Sequence, residues 1–113
     1  MAKELTKNYE YAWSKYSKND QNELNKVNND YKAFMSKCKT ERECVKEFIT
    51  LAEKAGYKDI KELVKKNGSL KPGDKVYANN MDKTLALFLI GKEPMENGMR
   101  ILGAHVDSPR LYL

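Results

Sequence analysis

A chain of 113 residues, 41% hydrophobic and 33% charged, is long enough for one domain with a modest core and too short for two. Its 21 basic and 16 acidic residues are interspersed, which reads as a solvated surface and not as the clustered positive face that binds nucleic acid. No run approaches the roughly 20 apolar residues of a membrane helix, and the polar start MAKELTKNYE lacks the apolar stretch of a secretory signal, so a cytoplasmic protein without membrane partners is expected.

In chain order, Tyr9, Trp13 and Tyr16 recur at i, i+4 and i+7 and predict a helix with three aromatics on one face. Packing is the ordinary fate of such a stripe, with a ligand platform as the alternative. A second helix runs through Leu24, Val27, Tyr31, Phe34 and Met35, weakened in its first half by the Asn-rich NKVNND. Cys38 and Cys44 fit neither a redox CxxC nor a zinc-knuckle spacing and read as reduced, structural thiols.

The clearest helix follows. Thr40 and Glu43 form a T-x-x-E capping box ahead of the apolar stripe Val45, Phe48, Ile49 and Ala52, and Gly56 is placed to end it. A short helix from Lys58 to Lys66, closed by Asn67 and Gly68, comes next. The densest lysines, Lys58, Lys61, Lys65, Lys66, Lys71 and Lys75, are interrupted by Asp59, Glu62 and Asp74, which argues against a nucleic-acid footprint.

After Gly68 the period changes from helices to strands and turns. KPGD at 71–74 marks a turn, KVYAN from Lys75 a short strand, and Asn79, Asn80, Met81 and Asp82 a hairpin loop. The run LALFLI, 85–90, has no alternation, as in a strand covered on both faces. GKEPMENG is a polar connection, and MRILGAHVD from Met99 predicts a third strand. The expected architecture is α/β: a helical arm over 1–68, then a β-hairpin and a buried strand over 69–113.

The only histidine stands in GAHVDSPR. In an extended strand Ile101, Gly103, His105 and Asp107 share one face, while Leu102, Ala104 and Val106 share the apolar other. His105 and Asp107 thus meet at the C-terminal end of the strand, where α/β proteins hold ligands. Such a pair can be a metal-binding imidazole with its orienting carboxylate, a general base within a triad, or a structural hydrogen bond. No activated nucleophile such as a GxSxG elbow is present.

The string ILGAHVDSPRLYL, after GDKVYANN and TLALFLIG and a helical arm, resembles the start of the aspartyl aminopeptidase family of dinuclear zinc exopeptidases. The resemblance covers most of the chain and only the opening part of that family's catalytic domain. It implies that His105 is a zinc ligand, that Asp107 supports it, and that Ser108 and Pro109 form the turn that follows. It further implies two zinc ions per active site in the complete enzyme, a peptide substrate cleaved at its N-terminal residue by metal-activated water, and a homo-oligomer.

The bridging Asp, the general-base Glu and the remaining ligands of that family have no counterpart in these 113 residues. A catalytic zinc takes three protein ligands and a water, more than one His supplies. The expectation is therefore one incomplete domain over 1–113, the N-terminal fragment of a larger α/β enzyme and silent by itself. A small non-enzymatic module, binding a partner through the aromatic face or the Lys-rich middle, is the alternative.

Overall fold

The structure is a computed structural model that describes residues 9–107, and the chain divides into two compact units between Ser36 and Lys37. That boundary is not the change of period near Gly68. It falls where the long α1 helix (Lys18–Lys37) ends.

In the first unit, Ser17 and Asp20 start α1 by a reciprocal pair of bonds. Asp20 Oδ2 accepts from the Ser17 backbone N–H at 2.9 Å, and Ser17 Oγ accepts from the Asp20 N–H at 3.2 Å. These bonds satisfy donors that a helix N-terminus otherwise leaves open, and α1 then runs straight through NKVNND. The aromatic helix expected over Tyr9, Trp13 and Tyr16 does not form. Only a 3₁₀ turn, Ala12–Lys15, is present, flanked by Tyr11 and Tyr16 in extended conformation. The aromatics pay in rotamer freedom to enter a helix, and the Ser17 box sets its start beyond them. Trp13 and Tyr16 instead meet edge to face, with ring centroids 5.5 Å apart.

In the second unit the capping box of α2 (Glu41–Lys54) is made as expected. Glu43 N–H donates to Thr40 Oγ1 at 3.2 Å, and Glu43 Oε2 accepts from the Thr40 and Lys39 N–H groups at 3.0 and 2.7 Å. Gly56, at φ 90°, closes the helix: its N–H reaches Glu53 O at 3.0 Å, and Tyr57 N–H reaches Ala52 O at 2.9 Å. This double closure is a Schellman motif, and it needs a residue that tolerates the left-handed region. A two-residue strand, β1 (Lys58–Asp59), leads into α3 (Ile60–Lys65), which Asp59 caps by accepting from Lys61 N–H at 2.9 Å. Asn67 and Gly68 close α3 in the same way as Gly56 closes α2.

The hairpin of β2 (Lys75–Asn80) and β3 (Thr84–Leu89) follows the turn at 71–74, in which Asp74 Oδ2 accepts from Lys71 N–H at 2.7 Å. Val76 lies opposite Phe88 and Ala78 opposite Ala86 in the antiparallel ladder. Met81 and Asp82, both at positive φ, make the tight turn, and Asn79 clamps it by bonding both the Asp82 side chain and its N–H. β1 pairs in parallel with β2 on the other side, giving the order β1-β2-β3.

The core lies where α2 meets the central strand. Val45 and Ala52 are buried with Cys44, Cys38, Val76 and Tyr77. Because Val76 and Tyr77 are neighbours on opposite faces, β2 is the strand covered on both sides. That status was expected for 85–90, and the structure corrects it: Leu87, Phe88 and Leu89 are 50%, 46% and 64% exposed. β3 is an edge strand, and nothing among the described residues covers its outer end. No described helix is long and apolar enough to cross a membrane.

Candidate metal site

A 3₁₀ turn at Met95–Asn97 and Gly98 at φ 107° deliver the chain into residues 99–107. The third strand expected here is not formed. Residues 99–107 carry no regular secondary structure and make no backbone-to-backbone hydrogen bond among the described residues. A strand exists only through its partner, and no described residue pairs with this segment; the sheet's third member is β1 instead.

Even without a strand, His105 and Asp107 come together. Nδ1 of His105 lies 2.6 Å from the Asp107 backbone carbonyl and 3.4 Å from its Oδ1. A carbonyl only accepts, so Nδ1 donates the proton, and that fixes the tautomer in which Nε2 carries the lone pair. The backbone oxygen is the closer partner and the carboxylate the more distant one. Side chains of both residues are exposed, at 79% and 72%. The sequence pattern identified the pair but assigned the orienting contact to the carboxylate alone.

The pair borders an open groove of about 330 Å³ whose other wall is Lys83, Thr84 and Leu85 at the start of β3, with Glu41 from the first turn of α2. Arg42, beside Glu41, donates to the Met81 carbonyl at 3.3 Å and ties the hairpin tip to α2. Glu41 and Lys83 were not singled out from the sequence, and no one-dimensional spacing links them to His105. Only the fold of α2 against the hairpin brings them near.

The residues present fit one metal ligand and its orienting partner, and no more. Among the described residues no group of three His, Cys, Asp or Glu side chains could hold an ion. Cys38 and Cys44 do not add to the set: both are buried thiols without a disulfide, and burial, then the neighbouring Cys44, pushes the Cys38 thiol up, away from the thiolate a metal needs. Ser108 and Pro109 lie outside the described residues.

Helices on a small mixed three-stranded sheet put the chain in the α/β class. The chain belongs to the M18 peptidase family: the family described as aminopeptidase I zinc metalloprotease (M18) matches residues 34–113. It is 53% identical over 113 residues to "Probable M18 family aminopeptidase 1" of Clostridium acetobutylicum, covering 100% of this chain and 24% of that protein. It is 34% identical over 85 residues to the aspartyl aminopeptidase of Aspergillus oryzae, covering 74% of this chain and 17% of that one. The crystal structure of aminopeptidase I from Borrelia burgdorferi B31 superposes with a TM-score of 0.81 at 35% identity, over 89% of this chain and 24% of that one. The chain thus spans about a quarter or less of the length of these relatives.

Proposed function

We propose that these 113 residues are the N-terminal part of a cytoplasmic, homo-oligomeric metalloaminopeptidase that removes N-terminal residues from peptides with two zinc ions per site, and that they form one incomplete domain. The observation that carries the reading is the His105 imidazole, whose Nδ1 is occupied by Asp107 and whose Nε2 is left to bind a metal. A metal-binding His commonly donates its other ring N–H to a carbonyl or carboxylate, which orients the ring and raises its basicity.

Bound zinc would supply polarisation of the scissile carbonyl and an acidified water. The chain's own part is narrower. Asp107 holds the His105 ring in one tautomer, α2 and the hairpin fix one wall beside it, and the groove leaves that ring open to solvent. Membership of a zinc metalloprotease family, the aminopeptidase names of the relatives and the donor geometry all support this reading.

The test is made on the full-length protein, with zinc content and hydrolysis of N-terminally unblocked and blocked peptides measured on one preparation. Cleavage of the unblocked peptide alone, lost on chelation and restored by Zn²⁺, is the expected result. Equal cleavage of both, or activity indifferent to chelation, overturns the reading.

A further inference from the structure

An asparagine stands directly before a glycine at two places, Asn67 before Gly68 and Asn97 before Gly98. The pairing matters chemically because glycine has no Cβ, so its backbone nitrogen can swing round to the asparagine side-chain carbonyl carbon with little obstruction. Whether it does so depends on how firmly the fold holds that nitrogen. Both asparagines are exposed, but the two glycines are held very differently.

At position 68 the nitrogen is part of the closure of α3. Asn67 N–H donates to Val64 O and Gly68 N–H to Leu63 O, both at 3.0 Å, with Asn67 at φ 49°. Gly68 also lies against the Leu63 side chain, so closely that a Cβ there would come within 2.7 Å of Leu63 Cδ1. Freeing the nitrogen means unwinding the helix end and leaving that side chain. At position 98 a single turn does the holding. Gly98 N–H donates to Met95 O at 2.9 Å, at the end of the three-residue 3₁₀ segment Met95–Asn97. Gly98, at φ 107°, has open space around it: a Cβ there would meet nothing within 4 Å. The Asn97 side chain is tethered by one exposed bond among the described residues, from Nδ2 to Glu93 Oε2 at 3.3 Å.

We propose that Asn97 is a site of spontaneous covalent modification through a succinimide, and that the closure of α3 protects Asn67 from the same reaction. The Gly98 N–H leaves Met95 O and gives its proton to solvent base. The nitrogen attacks Asn97 Cγ; the N–Cγ bond forms, the Cγ–Nδ2 bond breaks, and Nδ2 departs as ammonia with a proton taken from solvent. One water then opens the five-membered ring. Cleaving the bond just formed leaves aspartate at position 97, and cleaving the original peptide bond to Gly98 leaves isoaspartate, with the main chain rerouted through the side chain. The sum is one water consumed and one ammonia released, with no oxidant or cofactor. Either product sets a third carboxylate beside Glu93 and Glu96, and isoaspartate also lengthens by one methylene the connection that delivers the chain to His105.

The full-length protein is incubated at mildly alkaline pH, native and in denaturant, until the denatured sample has reacted at both positions. Isoaspartate is read by methyl transfer from S-adenosylmethionine with an isoaspartyl methyltransferase, and each position by mass mapping of its peptide. In the native protein position 97 is expected to react about 10-fold or more faster than position 67, because opening at 67 breaks the helix closure and the Leu63 contact as well. In denaturant the two should react at similar rates. Asn97→Gln, whose side chain would have to close a six-membered ring, should remove the signal at 97 and leave 67 unchanged. Equal or faster reaction at 67 in the native protein, or no reaction at 97 in that time, overturns the proposal. So does isoaspartate undiminished in Asn97→Gln, which places the modification elsewhere. The rate at 97 should rise with pH, as loss of the Gly98 amide proton demands, and a rate indifferent to pH overturns the succinimide route.

Discussion

The contact of α2 with β2 and the segment 99–107 are built from similarly apolar sequence, yet one is finished and the other is not. At α2 and β2 every device closes within the chain. The capping box, the Schellman turn at Gly56, the Lys75 ammonium on the Ala55 carbonyl at 3.0 Å and the Tyr77 hydroxyl on Glu53 at 2.9 Å all have both partners present. At 99–107 Ile101 and Leu102 are 78% and 101% exposed, and among the described residues His105 bonds only to Asp107. At α2 and β2 the fold is secured both by local caps and by contacts 20 and 24 residues apart in sequence; at 99–107 the described residues supply no such closure.

The largest effect that probes this contrast is His105→Ala. In the full-length protein, zinc content and turnover should fall together by more than about 100-fold, since a direct ligand outweighs the 10- to 100-fold typical of an orienting residue. In the isolated chain the same change should leave the melting temperature unmoved, because the ring is 79% exposed. Normal zinc and turnover in the variant would remove His105 from the site. Val45→Ala should do the opposite. Val45 is fully buried, and deleting its two methyl groups should cost about 2 to 3 kcal/mol, read as a lower denaturation midpoint in the full-length protein and the isolated chain alike.

Asp107→Asn comes next, with zinc affinity or turnover reduced about 10- to 100-fold and stability unchanged. The structure sharpens this expectation toward its lower end. The closer contact to Nδ1 is the backbone carbonyl, which the substitution retains, and only the carboxylate at 3.4 Å is neutralised. A loss as severe as that of His105→Ala would mean that Asp107 itself touches the metal.

What the sequence disclosed follows the same divide. Thr40 with Glu43, Gly56, the KPGD turn and the Asn79 to Asp82 loop were legible because each depends on residues within a few positions, through capping and positive-φ preferences. The pairing of His105 with Asp107 was legible for the same reason. The strand at 99–107 was misjudged because alternation states which face is apolar, not whether a partner strand is present. LALFLI suggested a covered strand for the same reason, and the parallel β1 gave no sequence signal at two residues long. The aromatic heptad at Tyr9 to Tyr16 has helical spacing but no cap until Ser17.

Within the finished region, Tyr77→Phe should cost about 1 kcal/mol by removing one hydrogen bond to Glu53. It should also alter the alkaline limb of stability. Burial, then the bond to Glu53, pushes the Tyr77 phenol up to about 12, so the folded state keeps a proton that the unfolded chain releases near pH 10. Stability contributed by the neutral phenol is complete below about pH 10 and is lost as pH rises toward about 12, by at most about 1.4 kcal/mol per unit. Denaturation of the two proteins at pH 9 and pH 11 should show the fall in the parent and a flatter profile in Tyr77→Phe. Equal slopes would mean that the phenol is as accessible as in the unfolded chain.

The smallest effect should be Thr40→Ala. Loss of an N-cap typically costs about 1 kcal/mol, but here the Glu43 carboxylate continues to accept from the Lys39 and Thr40 N–H groups, which do not need the threonine side chain. Only the bond from Glu43 N–H to Oγ1 disappears, so a cost of about 0.5 to 1 kcal/mol is expected. The surviving half of the box carries its own pH signature. The backbone N–H of Lys39, then that of Thr40, holds the Glu43 carboxyl below its ordinary value. Its contribution to stability is present above about pH 4.3 and is lost as pH falls through the lower folded value. Acid unfolding of Thr40→Ala should therefore keep the parent's steepness at a lower overall stability, whereas Glu43→Gln should flatten it. If Thr40→Ala flattened the acid limb as much as Glu43→Gln, the two halves of the box would be a single cooperative unit, and local closure at α2 would be more tightly coupled than two separable hydrogen bonds.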